Sequence, residues 1–214
     1  MNIPDEWTFK SDEIADEFDC HIREQLPWYN MATSMTIQIA RNYLPDNGVF
    51  IDLGCSTGNI TKSAKKLLES RHATVINVDN SPQMKEKFTG VGNVVIHDIE
   101  SYTVPKFDVC VLFLSMMFVK VSHREQLIMQ LMKQTRKGGC IIILDKIESY
   151  SGYSGQVINR LNIANKLDAG CDANDILAKD LSLSGIQRPL QPQLLSSFKK
   201  WFQIGEFCGF VFEG

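Results

Sequence analysis

The chain has 214 residues, 44% of them hydrophobic, which is enough for one domain with a substantial core and excludes a disordered chain. Its 22 Lys and Arg against 25 Asp and Glu leave a formal charge of −3, so no global positive field exists to hold nucleic acid; a nucleic-acid substrate would need a local patch or a partner protein. The six cysteines (Cys20, Cys55, Cys110, Cys140, Cys171, Cys208) form no CxxC pair and mostly fall in predicted buried elements, the pattern of reduced core thiols in a cytoplasmic protein.

His21, His72, His97 and His123 are equally scattered, so no metal site is expected. Residues 1–10 are acidic and polar, and no apolar run reaches the roughly eighteen residues of a membrane span, so neither signal peptide nor membrane segment is expected. Residues 11–26 place Ile14, Phe18, Ile22 and Leu26 four apart on one helix face, entered through Ser11 as N-cap. A break at Pro27-Trp28-Tyr29-Asn30 precedes a second amphipathic helix over residues 31–44, stopped by Pro45-Asp46-Asn47-Gly48. These two helices form a cap over residues 1–48 that can close on a ligand. Trp28 and Tyr29 are candidates for a lid or substrate contact, or for an aromatic staple between packed helices.

The stretch Phe50-Ile51-Asp52-Leu53-Gly54-Cys55-Ser56-Thr57-Gly58-Asn59 reads as a buried strand running into a glycine turn and a helix. Gly54 and Gly58 admit backbone angles that a Cβ forbids, so a ligand can lie against the main chain beside the first helical amides. Asp52 stands two positions before the first glycine, and Ser56 replaces the middle glycine of a dinucleotide turn. An acid there repels a pyrophosphate and attracts a cation. The implied ligand is S-adenosylmethionine; glycines serving packing alone are the alternative.

Residues 60–70 form a helix with Lys62, Lys65 and Lys66 outward, a solvated face or a phosphate contact. The β-branched alternation from Ala73 ends in Asp79-Asn80-Ser81-Pro82, where a neighbouring parallel strand puts a carboxylate beside a ribose. Asp79 is expected to bind both ribose hydroxyls and Asn80 to reach the adenine, while Ser81-Pro82 opens a short helix over residues 83–89. A third strand over residues 94–99 carries Asp98 and Ile99 for the adenine ring, or Asp98 as a turn cap.

Residues 107–117 are continuously apolar, as a central parallel strand should be, and bring Ser115, Met116 and Met117 to the crevice. A helix over residues 122–136, turning Leu127, Ile128, Leu131 and Met132 inward, closes through a left-handed cap at Lys137-Gly138-Gly139; residues 140–145 are the fifth strand. Alternating strands and helices over a core of residues 49–148 imply a doubly wound parallel sheet. Residues 149–155 read as a loop, followed by helices over 156–166 and 173–183; the block 149–190 is expected to lie over the crevice and choose the substrate. In residues 191–214, a short helix over 192–198 precedes strands over 199–204 and 207–212, joined so tightly at Gly205-Glu206 that they must be antiparallel.

With the glycine turn, the Asp-Asn-Ser-Pro strand end and the terminal hairpin in place, the chain resembles the class I S-adenosylmethionine-dependent methyltransferases. More narrowly, it resembles the carboxy-S-adenosylmethionine synthases of the tRNA wobble-uridine 5-oxyacetate pathway. That narrower likeness rests on Trp7-Thr8-Phe9, Tyr29 in its turn, Asp52-Leu53-Gly54-Cys55-Ser56-Thr57-Gly58, Val78-Asp79-Asn80-Ser81-Pro82 and Trp201-Phe202-Gln203. The resemblance implies a single methyltransferase-type α/β domain with a seven-stranded, mostly parallel sheet. It also implies a cytoplasmic enzyme, commonly a homodimer, using S-adenosylmethionine or carboxy-S-adenosylmethionine and moving a carboxyl group from prephenate to the cofactor's methyl carbon.

The cofactor-binding set is Asp52, Gly54, Cys55, Ser56, Gly58, Asp79, Asn80, Ser81, Asp98 and Ile99; the substrate candidates are Tyr29, Ser115, Arg160 and Arg188. Phe113 aligns where that family has an asparagine and Asp180 where it has a carboxylate-gripping arginine, whose guanidinium fork an acid cannot replace. The leading expectation is therefore methyl transfer to an acceptor, with no catalytic base assigned. Carboxyl transfer from prephenate and a non-catalytic cofactor-binding subunit are the alternatives. A nicotinamide oxidoreductase is opposed by Asp52, Ser56 and the hairpin.

Overall fold

The computed structural model describes residues 3–148 and 152–214. Helices α1 (Asp12–Gln25) and α2 (Tyr29–Tyr43) precede β1 (Val49–Leu53), α3 (Asn59–Ser63), α4 (Lys65–Ser70), β2 (Thr74–Asp79), α5 (Pro82–Glu86) and β3 (Val94–Ile96). Then come β4 (Phe107–Phe113), α6 (Val121–Gln134), β5 (Thr135–Lys146), α7 (Gly152–Asp168), α8 (Ala173–Ser182), β6 (Lys199–Ile204) and β7 (Phe207–Glu213). The strands form one seven-stranded sheet in the order β3-β2-β1-β4-β5-β7-β6. β3 through β5 pair in parallel, and β7 runs antiparallel between β5 and β6. The expected α/β sheet with an antiparallel end is thus present.

Strand periodicity builds two cores from one run of sequence. Because successive side chains point to opposite faces, Ile51, Leu53, Cys110, Leu112, Ile141 and Ile143 meet α6 through Leu127 and Leu131. Phe50, Val109, Val111, Ile142 and Leu144 face the other way, onto Ala32 and Ala40 of α2 and Leu67 and Leu68 of α4. β4 is buried along its whole length, consistent with its unbroken apolar sequence.

Several boundaries differ from the sequence reading. Tyr29 opens α2 instead of lying in the break, and Trp28 fills the corner against Phe202 and Phe207. The helix expected over residues 60–70 is two short helices meeting at Ala64. β3 stops at Ile96, leaving Asp98 in the following turn. Lys137-Gly138-Gly139 is no helix cap: α6 has ended at Gln134, and these residues form an irregular start to β5, where pairing jumps from Phe107↔Thr135 to Val109↔Cys140. A Cβ on Gly139 would sit 2.5 Å from the Asp108 carbonyl oxygen, so the glycines permit a close backbone approach at a bulge.

Of the loop expected over 149–155, residues 149–151 lie outside the described residues, and Gly152–Asp168 is helical because local glycine and serine content is only a weak brake on a helix. The helix expected over 192–198 is a 3₁₀ turn at Pro192–Leu195. Cys20 is exposed and Cys171 partly so, whereas the other four thiols are buried; all six are free.

Arg124 on α6 is 3% exposed and ties the loop after β4 to the segment entering the hairpin. It donates to the carbonyls of Val119 (2.9 Å), Met117 (3.2 Å), Arg188 (2.7 Å) and Pro189 (3.0 Å). Arg124→Met keeps the apolar stem but strands those acceptors. It is expected to lower stability by about 2 kcal/mol, measured by urea unfolding.

Candidate functional site

The carboxyl ends of β1, β2 and β4 open onto one cavity of about 420 Å³, roofed by α1, α7 and α8. Its floor begins at Gly54, whose φ is +79°; a Cβ there would lie 2.5 Å from the Ser115 Cβ. Ser115 comes this close because its hydroxyl donates to the Leu53 carbonyl at 2.9 Å, and because buried Asp145 accepts from the Met116 amide at 2.7 Å just beyond. β1 and β4 are therefore stitched together where the turn departs.

Asp79 holds the turn from the other side. One carboxylate oxygen accepts from the Ser56 amide at 2.8 Å and the other from the Ser81 amide at 2.9 Å. Each oxygen keeps a second lone pair, and Asp79 lines the cavity. Burial pushes its pKa up against these amide bonds. Asn80 donates to Asp98 at 2.7 Å, joining the ends of β2 and β3, and Ile99 follows on the same wall.

Asp52 is 1% exposed, lines the cavity, and its Oδ2 has no hydrogen-bond partner. Burial, reinforced by the Asp79 charge, lifts its pKa to about 8. The folded chain keeps this proton up to about pH 8, whereas an unfolded Asp loses it near its ordinary 3.8. The stability contributed by Asp52 is therefore full below the lower value and is lost as pH rises towards the upper one. The melting temperature of the ligand-free chain is expected to fall between pH 6 and pH 8, and Asp52→Asn to flatten that fall, as read by thermal melts in matched buffers.

Asp52, Gly54, Cys55, Ser56, Asp79, Asn80, Asp98 and Ile99 line the cavity together with Tyr29 and Ser115. Gly58 does not; it packs against Phe88 and Gly90 behind the turn. Ser81 is also behind the wall, its hydroxyl accepting from the Met84 amide and donating to the Phe9 carbonyl. Arg160 and Arg188 are exposed and are not among the lining residues. Tyr29 is buried edge-on against Phe113 at 5.4 Å, and burial drives its phenol pKa far up, so it stays neutral.

Residues 50–139 match the family of methyltransferase domains. These residues form a core similar to a methyltransferase domain. Similar curated proteins extend along nearly the whole chain. The carboxy-S-adenosyl-L-methionine synthase of Staphylococcus epidermidis is 26% identical, covering 97% of each chain. That of Shewanella woodyi is 28% identical, over 98% of this chain and 93% of its own.

Among solved structures, the plantazolicin methyltransferase BpumL in complex with SAH superposes with a TM-score of 0.62 at 14% identity, covering 94% of this chain and 89% of its own. A TehB-like SAM-dependent methyltransferase from Corynebacterium glutamicum gives 0.54 at 15% identity, covering 95% and 99%. These two likenesses show the fold.

Sequence reasoning gave the block 149–190 a substrate role and singled out Asp180, but named none of Trp7, His21, Gln25, Lys166 and Lys179, which form the far wall of the cavity with it, as site residues. Trp7 stood out only as part of a motif, and the lysines only as polar positions on helices, since helical spacing does not reveal which surface turns inward. Among the described residues no group of three or more His, Cys, Asp or Glu is placed to hold a metal, and no helix is long and apolar enough to cross a membrane.

Proposed function

We propose that the chain binds S-adenosylmethionine in this cavity and passes its methyl group to a small-molecule acceptor held beneath α7 and α8. The observation that carries the reading is the buried, unpartnered carboxyl of Asp52 beside a turn too tight for a side chain at residue 54. Such a group favours a cationic ligand with donors to spare and disfavours a phosphate.

In this reading Asp52 faces the amino-acid end, the Gly54 to Ser56 backbone lies under the sulfur, Asp79 and Asn80 take the ribose, and Asp98 with Ile99 takes the adenine. Gly58 and Ser81 shape this cradle from behind. When bound, S-adenosylmethionine supplies a methyl carbon already activated by a sulfonium. The chain's own task is to align the two reactants and exclude water, which for well-oriented pairs supplies roughly 7–11 kcal/mol.

A second reading, carboxy-S-adenosylmethionine synthesis from prephenate, is favoured by relatives of that name along almost the entire chain. Mass spectrometry of the cofactor after incubation with S-adenosylmethionine and prephenate separates the two, because only the second adds a carboxyl group to it. Titration calorimetry with S-adenosylhomocysteine tests what both share; absence of binding overturns both. A labelled methyl group that stays on the cofactor in cell extract, with no carboxylated cofactor formed, would favour a non-catalytic subunit.

The finer setting inferred from the resemblance is a cytoplasmic homodimer serving tRNA modification through a small-molecule product. Exposed apolar side chains on α7 and α8, including Tyr153 at 74%, Leu177 at 60% and Leu181 at 62%, support the dimer. A monomer by light scattering would remove that part of the proposal.

A further inference from the structure

The far wall of the cavity differs in chemistry from the cofactor side. The row along the strand ends is acidic, with Asp52, Asp79 and Asp98. Opposite it, three lysines reach the same cavity: Lys146 from β5, Lys166 from α7 and Lys179 from α8. Lys146 is neutralised by Glu206 at 2.9 Å. Asp180 is the remaining acid on that wall and acts on Lys166 at longer range, which leaves the Lys166 and Lys179 amines without an ion-pair partner among the described residues.

The surroundings of these amines are aromatic and incompletely satisfied. The Lys179 Nζ lies over the face of the Trp7 ring, which stacks on His21 with centroids 6.1 Å apart and planes 24° from parallel. His21 is 9% exposed and its Nε2 has no partner; Gln25 is 8% exposed and its Oε1 has none either. Both side chains line the cavity. Flat rings, unmatched amines and an open imidazole nitrogen together suit a planar molecule bearing an oxyanion.

We propose that Lys166 and Lys179, with Trp7 and His21, form the acceptor compartment of this cavity and select a small, flat carboxylate-bearing molecule. The inference rests on the preceding reading in placing S-adenosylmethionine against the strand ends and the acceptor across from it. It assigns acceptor choice to two lysines in place of Arg160 and Arg188.

Proton linkage gives a second readout. Burial, with help from the Lys166 charge, lowers the Lys179 pKa to about 6, so without an anion the amine is mostly neutral at pH 7.5. The groups facing it are Lys166 from α7, Asp180 on α8, His21 and Glu24 from α1, and the Lys146 and Glu206 pair from the sheet. His21 is lowered to about 4 and stays neutral across this range. An anion favours the ammonium, so its binding draws in a proton and tightens as pH falls from 8 to 6.

The test uses the full chain saturated with S-adenosylhomocysteine, titrated with benzoate and its neutral isostere benzamide, and followed by tryptophan fluorescence and calorimetry in two buffers of different ionisation enthalpy. Benzoate is expected to bind at least about ten-fold more tightly than benzamide, with proton uptake. Lys166→Met and Lys179→Met are each expected to lose about ten-fold in benzoate affinity while binding S-adenosylhomocysteine within about two-fold of the parent, which also certifies their folding.

Benzoate binding no better than benzamide, no binding of either, or unchanged benzoate affinity in the Lys166→Met/Lys179→Met double variant would overturn the proposal. Failure to bind S-adenosylhomocysteine in the parent chain would instead overturn the reading beneath it.

Discussion

Asp79→Ala is expected to lower affinity for S-adenosylmethionine by at least about a hundred-fold, because it removes the brace of the glycine turn and, in the proposed binding mode, a ribose acceptor as well. In the folded chain the carboxylate accepts from the Ser56 amide at 2.8 Å and the Ser81 amide at 2.9 Å. Hydrogen bonds to a charged acceptor contribute roughly 1.5–3 kcal/mol each, and alanine leaves both amides without it. Asp79→Asn keeps the size but presents only one acceptor oxygen, so it should fall between the two. Calorimetry reads the affinity, and urea unfolding reads the turn. A variant that binds the cofactor as tightly as the parent would show that the carboxylate is structural alone.

Gly54→Ala is expected to destabilise the chain by about 4 kcal/mol, through two independent penalties. The first is conformational: φ is +79° at this residue, a region that costs an L side chain about 1–2 kcal/mol. The second is steric, since the new methyl would stand 2.5 Å from the Ser115 Cβ and 3.1 Å from its Oγ. Ser115→Gly in the same chain removes the collision and leaves the backbone cost. The double variant should therefore recover about half of the loss in urea unfolding, apart from what the Ser115 hydrogen bond to Leu53 contributes. No recovery would place the whole penalty in the backbone.

The sheet was legible because its strands are written in apolar periods that only one layered arrangement can bury. Phe107 to Phe113 reads as central because every residue in it is apolar or shielded, and the hairpin at Gly205-Glu206 leaves no room for a crossover. The strand-end wall of the cavity was legible for a related reason: Asp52, Gly54, Asp79 and Asn80 sit at strand ends, where sequence order converts directly into position. Gly58 and Ser81 belong to the same motifs yet face away, since a motif marks a segment and not the direction of each side chain.

The opposite wall was legible as a block, residues 149–190, but not residue by residue. Lys166 and Lys179 meet only because α7 and α8 fold back over the sheet, and nothing in helical periodicity says which cations a roof will enclose. Gly138 and Gly139 misled for the opposite reason: glycine after a helix usually caps it, but here the pair accommodates a bulge that the neighbouring strand imposes.

The place of β7 between β5 and β6 has a consequence for biosynthesis. While the nascent chain is still emerging from the ribosome, β5 has its β4 partner but no neighbour on its far side until residues 207–213 appear. That bare edge, carrying the run Ile141-Ile142-Ile143-Leu144, is the surface on which a stalled or shortened translation product would self-associate.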